Sequence, residues 1–365
     1  MSLPGSVGET MAKRDAELAA FLDAAGWSRQ AARPLAGDAS NRRYLRLGPE
    51  PGRPAAVLMD APPSSGEDVR PFVAITHWLR QHGFSAPAIA AADPAQGFLL
   101  LEDLGDDLYA PLLARAPVLE AELYGVAVDL LAELAAIPAP GEIGPQECRL
   151  ELPPYDATVL AREAALLCEW WLPAAAGAPP PPDLAAEFDG FVAEATAEAT
   201  AAVEPARDVL VLRDYHADNL IWLPRRRGIA RVGLLDYQDA LAGHAAYDLM
   251  SLLEDARRDT PAELRQAMIA RYLGCRPGLD AQAFRAAYSA LGAQRNLKIV
   301  GIFARLAIRD AKPRYLDLIP RVWGHLMRDL SHPALTPLAG WVARHVPAPE
   351  PATLARVAAI ARAAK

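Results

Sequence analysis

The chain reads as an α+β protein of two lobes, a small mixed sheet lobe followed by a larger, mainly helical one. Three observations predict this. At 365 residues it is longer than one average domain. β-like runs crowd the first 104 residues, whereas segments with apolar residues at helical spacing fill most of the chain after about residue 110. Where the two regimes meet, "GFLLLEDLGDDLY" (97–109) is a buried strand that runs into an acidic, glycine-broken link near 102–108. We therefore divide the chain into lobes 1–104 and 105–365.

Each element has its own signal. "KRDAELAAFLDAAG" (13–26) has helical spacing and ends on Gly26, a plausible C-terminal cap. "ARPLAGDASNRRYLRLG" (32–48) reads as strand, glycine-centred turn, strand, and "PAAVLMDAP" (54–62) as a further strand. A helix over 67–83 places Phe72, Ile75, Trp78 and Leu79 on one face. In the second lobe, 118–137 and 156–172 carry buried helical stripes. Two β-like runs interrupt them, 209–212 with 220–223 as a polar β-hairpin, and 230–240. From 247 onward helices return. The 33 prolines fall largely in loops such as "APPSSGED" (61–68) and "AGAPPPPDL" (176–184), with a looser stretch at 137–147.

Composition excludes several classes of function. A hydrophobic fraction of 52% and a charged fraction of 22% describe a soluble globular chain with a sizeable core. A net charge of −8 offers no global attraction for nucleic acid or an anionic membrane, so an anionic ligand must be held by a local basic cluster or a metal. Cys148, Cys168 and Cys275 lie far apart, indicating neither a disulfide framework nor a thiolate zinc site. No apolar run approaches the roughly 18 residues that span a bilayer, and "MSLPGSVGETMAKRD" lacks a signal-peptide core. We expect a cytoplasmic monomer acting on small molecules.

The chemistry concentrates in "LVLRDYHADNLIWL" (210–223), a dense polar insert between two apolar runs. Asp214 and Asn219 are five positions apart. Phosphoryl transfer uses that spacing: a carboxylate accepts the attacking hydroxyl's proton while an amide oxygen at the far end of the loop binds Mg²⁺. Asp and Asn also cap ordinary β-turns, which is the alternative for this pair taken alone. A second apolar run, "VGLLDYQDA", ends in Asp236, where a carboxylate at a strand end can bind a hard cation. His216 and Asp218 form an H-x-D pair that could serve a transition metal, but no further His or Cys cluster accompanies it, and a histidine bonded within the turn is the competing reading.

"RDYHADN" followed by "LLDYQDA" resembles the catalytic loop and metal-binding aspartate of the aminoglycoside phosphotransferase and choline kinase superfamily, relatives of the protein kinases. "LLLEDLGDDLY" is similar to the hinge of these enzymes, and "YDLMSLLED" (247–255) to the helix whose aspartate braces the catalytic loop. The resemblance implies a bilobed protein-kinase-like fold using ATP and Mg²⁺. Asp214 would be the catalytic base, Asn219 and Asp236 metal ligands, Asp248 structural, and Glu102, Asp103 and Leu104 the backbone contacts to adenine. Gly37, Ser40, Asn41, Arg42 and Arg43, in and after the small-residue turn, would meet the phosphates. His216, Gln238 and Asp239 are further candidates for substrate contact.

More narrowly, "LAGDASNRRYLRL", "VLMDAPPSSGED", "LPPYDATVLAREAALLCEWWL" and the basic segment 294–323 together resemble the anomeric kinases of cell-wall recycling. Those enzymes phosphorylate the C1 hydroxyl of N-acetylmuramate, and often N-acetylglucosamine, to the α-1-phosphate. One departure stands out: "AAVLMDA" offers Met59 and Asp60 where a protein kinase carries a phosphate-pairing lysine. Arg42 and Arg43 are the nearest replacements, an exposed strand edge being their alternative. Arg295, Lys298, Arg305, Arg309 and Lys312, at intervals of 3, 7, 4 and 3, fall on one face of an otherwise apolar helix. Such charges need partners, either acids on neighbouring helices or a substrate carboxylate such as the lactyl group of N-acetylmuramate. A kinase of another small alcohol, and a pseudokinase binding module, remain the alternatives.

Overall fold

Apolar residues at helical spacing open the chain, and α1 (Gly5–Ala24) buries Leu18 and Leu22, each 1% exposed. The computed structural model describes residues 5–27, 32–35, 42–201 and 208–363, so Gly37, Ser40 and Asn41 lie outside the described residues. After α1 come β1 (Ala32–Pro34), β2 (Arg43–Leu47), β3 (Ala56–Asp60), α2 (Arg70–Gln81), β4 (Ile89–Asp93) and β5 (Phe98–Glu102). The five strands form one antiparallel sheet in the order β1-β2-β3-β5-β4. β4, "IAAAD", was not anticipated, because alanine carries little β-propensity; it forms as an edge strand templated by β5.

Strand alternation sorts the sheet's two faces. Ala56 and Leu58 of β3, with Leu47, Phe98 and Leu100, pack against Leu18, Leu22 and Trp27 on the α1 side. Each fully buried Leu or Phe there contributes roughly 1.5–3 kcal/mol. Asp60 follows the same alternation and is sealed at 0% exposure, where Arg14 of α1 and Arg43 of β2 both grip its carboxylate. Met59 belongs to the opposite face. All four residues expected on the buried face of α2, Phe72, Ile75, Trp78 and Leu79, are buried.

The chain continues through α3 (Tyr109–Arg115), α4 (Glu120–Leu134), the short pair β6 (Glu142–Ile143) and β7 (Leu150–Glu151), α5 (Ala157–Ala164), a π-helical turn over Leu167–Trp171, α6 (Leu172–Ala176) and α7 (Pro182–Ala201). Then come β8 (Val209–Val211), β9 (Leu220–Trp222), β10 (Val232–Leu234), β11 (Leu241–Gly243) and the helices α8 (Ala246–Leu253), α9 (Ala262–Cys275), α10 (Ala281–Ile308), α11 (Ile319–Asp329), α12 (Thr336–His345) and α13 (Pro351–Ala363). Two compact units result. The first comprises Met1–Leu108, Gly141–Glu151 and Leu220–Asp239; the second comprises Tyr109–Pro140, Leu152–Asn219 and Ala240–Lys365. A cut at residue 104 follows chain order, whereas compactness also draws β9 and β10 into the first unit.

The second unit is organised on α10, which packs against α5, α7, α8, α11 and α13. Asp280 caps its start, accepting from the backbone N–H groups of Gln282 and Ala283 at 2.8 Å. Phe284, Leu291, Leu297, Val300 and Phe303 bury its length. Gly301 allows a close crossing: a Cβ there would stand 2.3 Å from the carbonyl carbon of Leu166.

The expected β-hairpin over 209–223 does not form. β8 pairs with β11, and β9 pairs with β10. The connection 212–219 is longer than a tight hairpin loop and contains a 3₁₀ turn at Ala217–Asn219, so it carries the chain from one strand pair to the other.

Candidate active site

The second unit holds the 212–219 loop on a frame of backbone bonds. Asp248, near the start of α8, accepts from the N–H groups of Leu212 at 2.7 Å and Arg213 at 2.9 Å, one on each carboxylate oxygen. Burial pushes its carboxyl up to about 7, against those two bonds, which favour the ionised form. Arg213 adopts φ 69, left-handed for a residue other than glycine, and Ser251 Oγ donates to its carbonyl at 3.3 Å. Asp214 comes next. Its carbonyl accepts from Asn219 Nδ2 at 2.9 Å, closing the loop across the five-residue spacing. Tyr215, 2% exposed, donates from its hydroxyl to the carbonyl of Ala127 at 2.9 Å and anchors the loop to α4.

His216 is buried, and its Nε2 lies 3.4 Å from Asn219 Nδ2. Desolvation lowers its pKa; the carboxylates of Asp255 and Asp214 oppose this, and the cations Arg257 and Arg295 add to it. A neutral imidazole inside the turn is the outcome. Asp218 pairs with Arg257 at 3.6 Å, and among the described residues no group of three or more His, Cys, Asp or Glu is arranged to hold a metal. The H-x-D pair therefore divides between a turn histidine and an ion-paired aspartate.

In the first unit, Asp236 lies two residues beyond the end of β10 and adopts φ 57. Gln238 Nε2 donates to its Oδ1 at 2.8 Å and lies 3.5 Å from Asp239 Oδ2. The turn is fixed by Tyr237, which stacks on Phe72 of α2 at 5.1 Å and shares a 2.7 Å hydrogen bond with Thr76. In the acidic link, Glu102 bonds Arg226 at 2.5 Å, accepts from the Ala88 N–H at 3.1 Å, and returns its own N–H to the Ala88 carbonyl at 2.7 Å. Asp103 pairs with Arg46 at 2.8 Å and accepts from the Gly105 N–H at 2.9 Å. Leu104 reaches β10, where a Cβ on Gly233 would meet it at 3.0 Å. Arg42 is paired with Glu67 at 2.7 Å, and Arg43 is committed to Asp60 on the α1 face.

The basic helix face resolves residue by residue. Lys298 pairs with Glu163 at 2.9 Å, and Arg305 is half-buried with its Nε sealed from solvent. Arg309, which pairs with Asp310 at 2.6 Å, and Lys312 lie beyond the end of α10 at Ile308 and are not part of its face. Arg295, 6% exposed, makes no ion pair among the described residues. Sequence reasoning passed over Glu163, Arg213 and Asp255, the last 1% exposed and capping the Arg257 N–H at 2.8 Å. Their charges looked like ordinary helix-surface charges, and only Arg213, beside Asp214, carried a positional hint.

Residues 31–288 match the phosphotransferase enzyme family. The chain belongs to this family. As a member of the phosphotransferase family it is 42% identical over 361 residues to the N-acetylmuramate/N-acetylglucosamine kinase of Caulobacter vibrioides, a match covering 92% of this chain and 97% of that one. The kinase of the same name from Pseudomonas aeruginosa is 36% identical over 299 residues, covering 80% and 82%. In structure this phosphotransferase is similar to an ethanolamine kinase of Plasmodium vivax, with a TM-score of 0.57 at 12% identity over 85% of this chain and 84% of that one. That likeness concerns the fold, which is the α+β, protein-kinase-like one the motifs imply.

Proposed function

We propose that the chain is an ATP-dependent kinase that phosphorylates the C1 hydroxyl of an N-acetylated amino sugar, N-acetylmuramate or N-acetylglucosamine, in the cytoplasm. The observation that carries this reading is the 42% identity with the Caulobacter kinase over nearly the whole of both chains. Asp214 accepts the proton of the sugar hydroxyl as it attacks the terminal phosphate. Asn219 holds the carbonyl of Asp214 through its amide nitrogen, and its amide oxygen is an atom of the type that ligates a hard cation. Carboxylate and amide oxygens are the donors Mg²⁺ takes, so Asn219 and Asp236 are each of the chemical type that would ligate it. The chemistry that Mg²⁺ would supply is charge neutralisation on the phosphates. Arg295, a buried cation with no ion pair among the described residues, is assigned to the lactyl carboxylate of N-acetylmuramate.

The test is ADP release by the purified protein with ATP, Mg²⁺ and one acceptor at a time. Release with the two N-acetyl amino sugars, and none above background with kanamycin or choline, is the expected result. Turnover with kanamycin or choline alone would replace the substrate assignment, and nucleotide binding without any turnover would make the chain a pseudokinase.

A further inference from the structure

Arg213 precedes the base Asp214 and is tethered at three points. Its N–H donates to Asp248, its carbonyl accepts from Ser251, and its guanidinium reaches Glu163 at the end of α5. A left-handed backbone at a residue with a side chain is strained and persists only where the surroundings enforce it. The two backbone tethers fix the peptide planes. With the guanidinium also fixed, the orientation about the Arg213 Cα is set, and with it the direction in which Asp214 leaves.

Glu163 is itself held rigidly. Tyr155 donates its hydroxyl to the carboxylate at 2.5 Å, Lys298 of α10 approaches it at 2.9 Å, and its side chain is 12% exposed. α5, which carries it, is capped by Asp156 accepting from the Val159 N–H at 2.9 Å. The arrangement exceeds what neutralising Arg213 would need, because one carboxylate meets two cations. Burial raises the pKa of Glu163, but Lys298 and Arg213 outweigh it and bring it below the ordinary value, so the acid stays ionised in its recess. Tyr155 also bonds Tyr247 of α8 at 2.9 Å, the helix that supplies Asp248 and Ser251. Every tether on Arg213 therefore traces back to a connected frame of α5, α8 and α10.

We propose that Glu163 is a positioning residue for phosphoryl transfer, gripping Arg213 so that Asp214 is presented in its reactive orientation, with Lys298 securing Glu163 for that task. This rests on Asp214 being the base of the reaction proposed above. It moves Lys298, which the sequence singles out for substrate contact, into the support of the catalytic loop.

Glu163→Gln, Arg213→Met and the double variant test it in the full-length protein, by kcat, KM for ATP and for N-acetylglucosamine, and thermal midpoint. A misaligned base predicts that each single variant loses kcat by about 10²-fold. KM for ATP should stay within about twofold, since the nucleotide's own contacts are untouched. The double variant should be no slower than the slower single, because both changes break one linkage. Glu163→Asp should fall between wild type and Glu163→Gln. If Glu163→Gln does not fold, Arg213→Met, which removes the other half of the pair, carries the same expectation. Folded single variants with wild-type kcat, or a double variant that loses the product of the two single losses, would overturn the proposal. Asp214→Ala is the control. Normal turnover in that variant sinks the reading of the base, whereas an inactive Asp214→Ala beside a fully active Glu163→Gln sinks only the role of Glu163.

Discussion

Asp248 shows how much a single buried group contributes to the loop. Its two oxygens each take one backbone N–H, a task that Asn cannot perform, because its NH₂ would face one of those donors. Asp248→Asn should lower the unfolding free energy by about 1–3 kcal/mol, the cost of a buried donor left without its acceptor, read from urea unfolding at neutral pH. The same carboxyl predicts a pH dependence. Its folded pKa of about 7 stands above the ordinary 3.8, so the folded state binds the proton more tightly. Its stabilising contribution is complete below 3.8 and is lost as pH rises through about 7. The stability difference between wild type and Asp248→Asn should therefore shrink as pH rises across that window, and a difference that grows would contradict the burial argument.

At the scale of elements, α10 organises the second unit, and its crossing at Gly301 is close, with the backbone of Leu166 where a side chain would stand. Gly301→Ala should cost about 1–3 kcal/mol, because backbone rather than a flexible side chain must yield, and an unchanged urea midpoint would refute this. The helix α2 was legible because its apolar residues follow the 3.6-residue period, whereas α10 is buried on all sides over residues 290–297. Strand pairing was not. The runs 209–212 and 220–223 carry β-propensity but no information about partners, and β8 and β9 find theirs in β11 and β10. The helix α7 was hidden behind the prolines of 179–182, although Pro is at home at the start of a helix. The basic face of α10 was legible as a stripe, but its partners lie on other elements: Glu163, which takes Lys298, is 135 positions away along the chain (298 − 163 = 135).

For the whole molecule, the motifs of residues 210–239 and 247–255 identified the family, because phosphoryl transfer needs acid and amide groups at spacings set by the reaction itself. The sugar is legible through the longer segments that resemble the anomeric kinases, and the similarity to relatives named N-acetylmuramate/N-acetylglucosamine kinase agrees with it, whereas no short spaced motif marks it. Among the described residues no helix is long and apolar enough to cross a membrane. The central claim is transfer to the anomeric oxygen with Asp214 as base, and phosphorus NMR of the product from N-acetylglucosamine and ATP tests it most directly. The account predicts a phosphate ester coupled to the single anomeric proton, and a loss of its formation rate by about 10²–10⁴-fold in Asp214→Ala. A phosphate coupled to the two protons of C6, or undiminished product from Asp214→Ala, would contradict it.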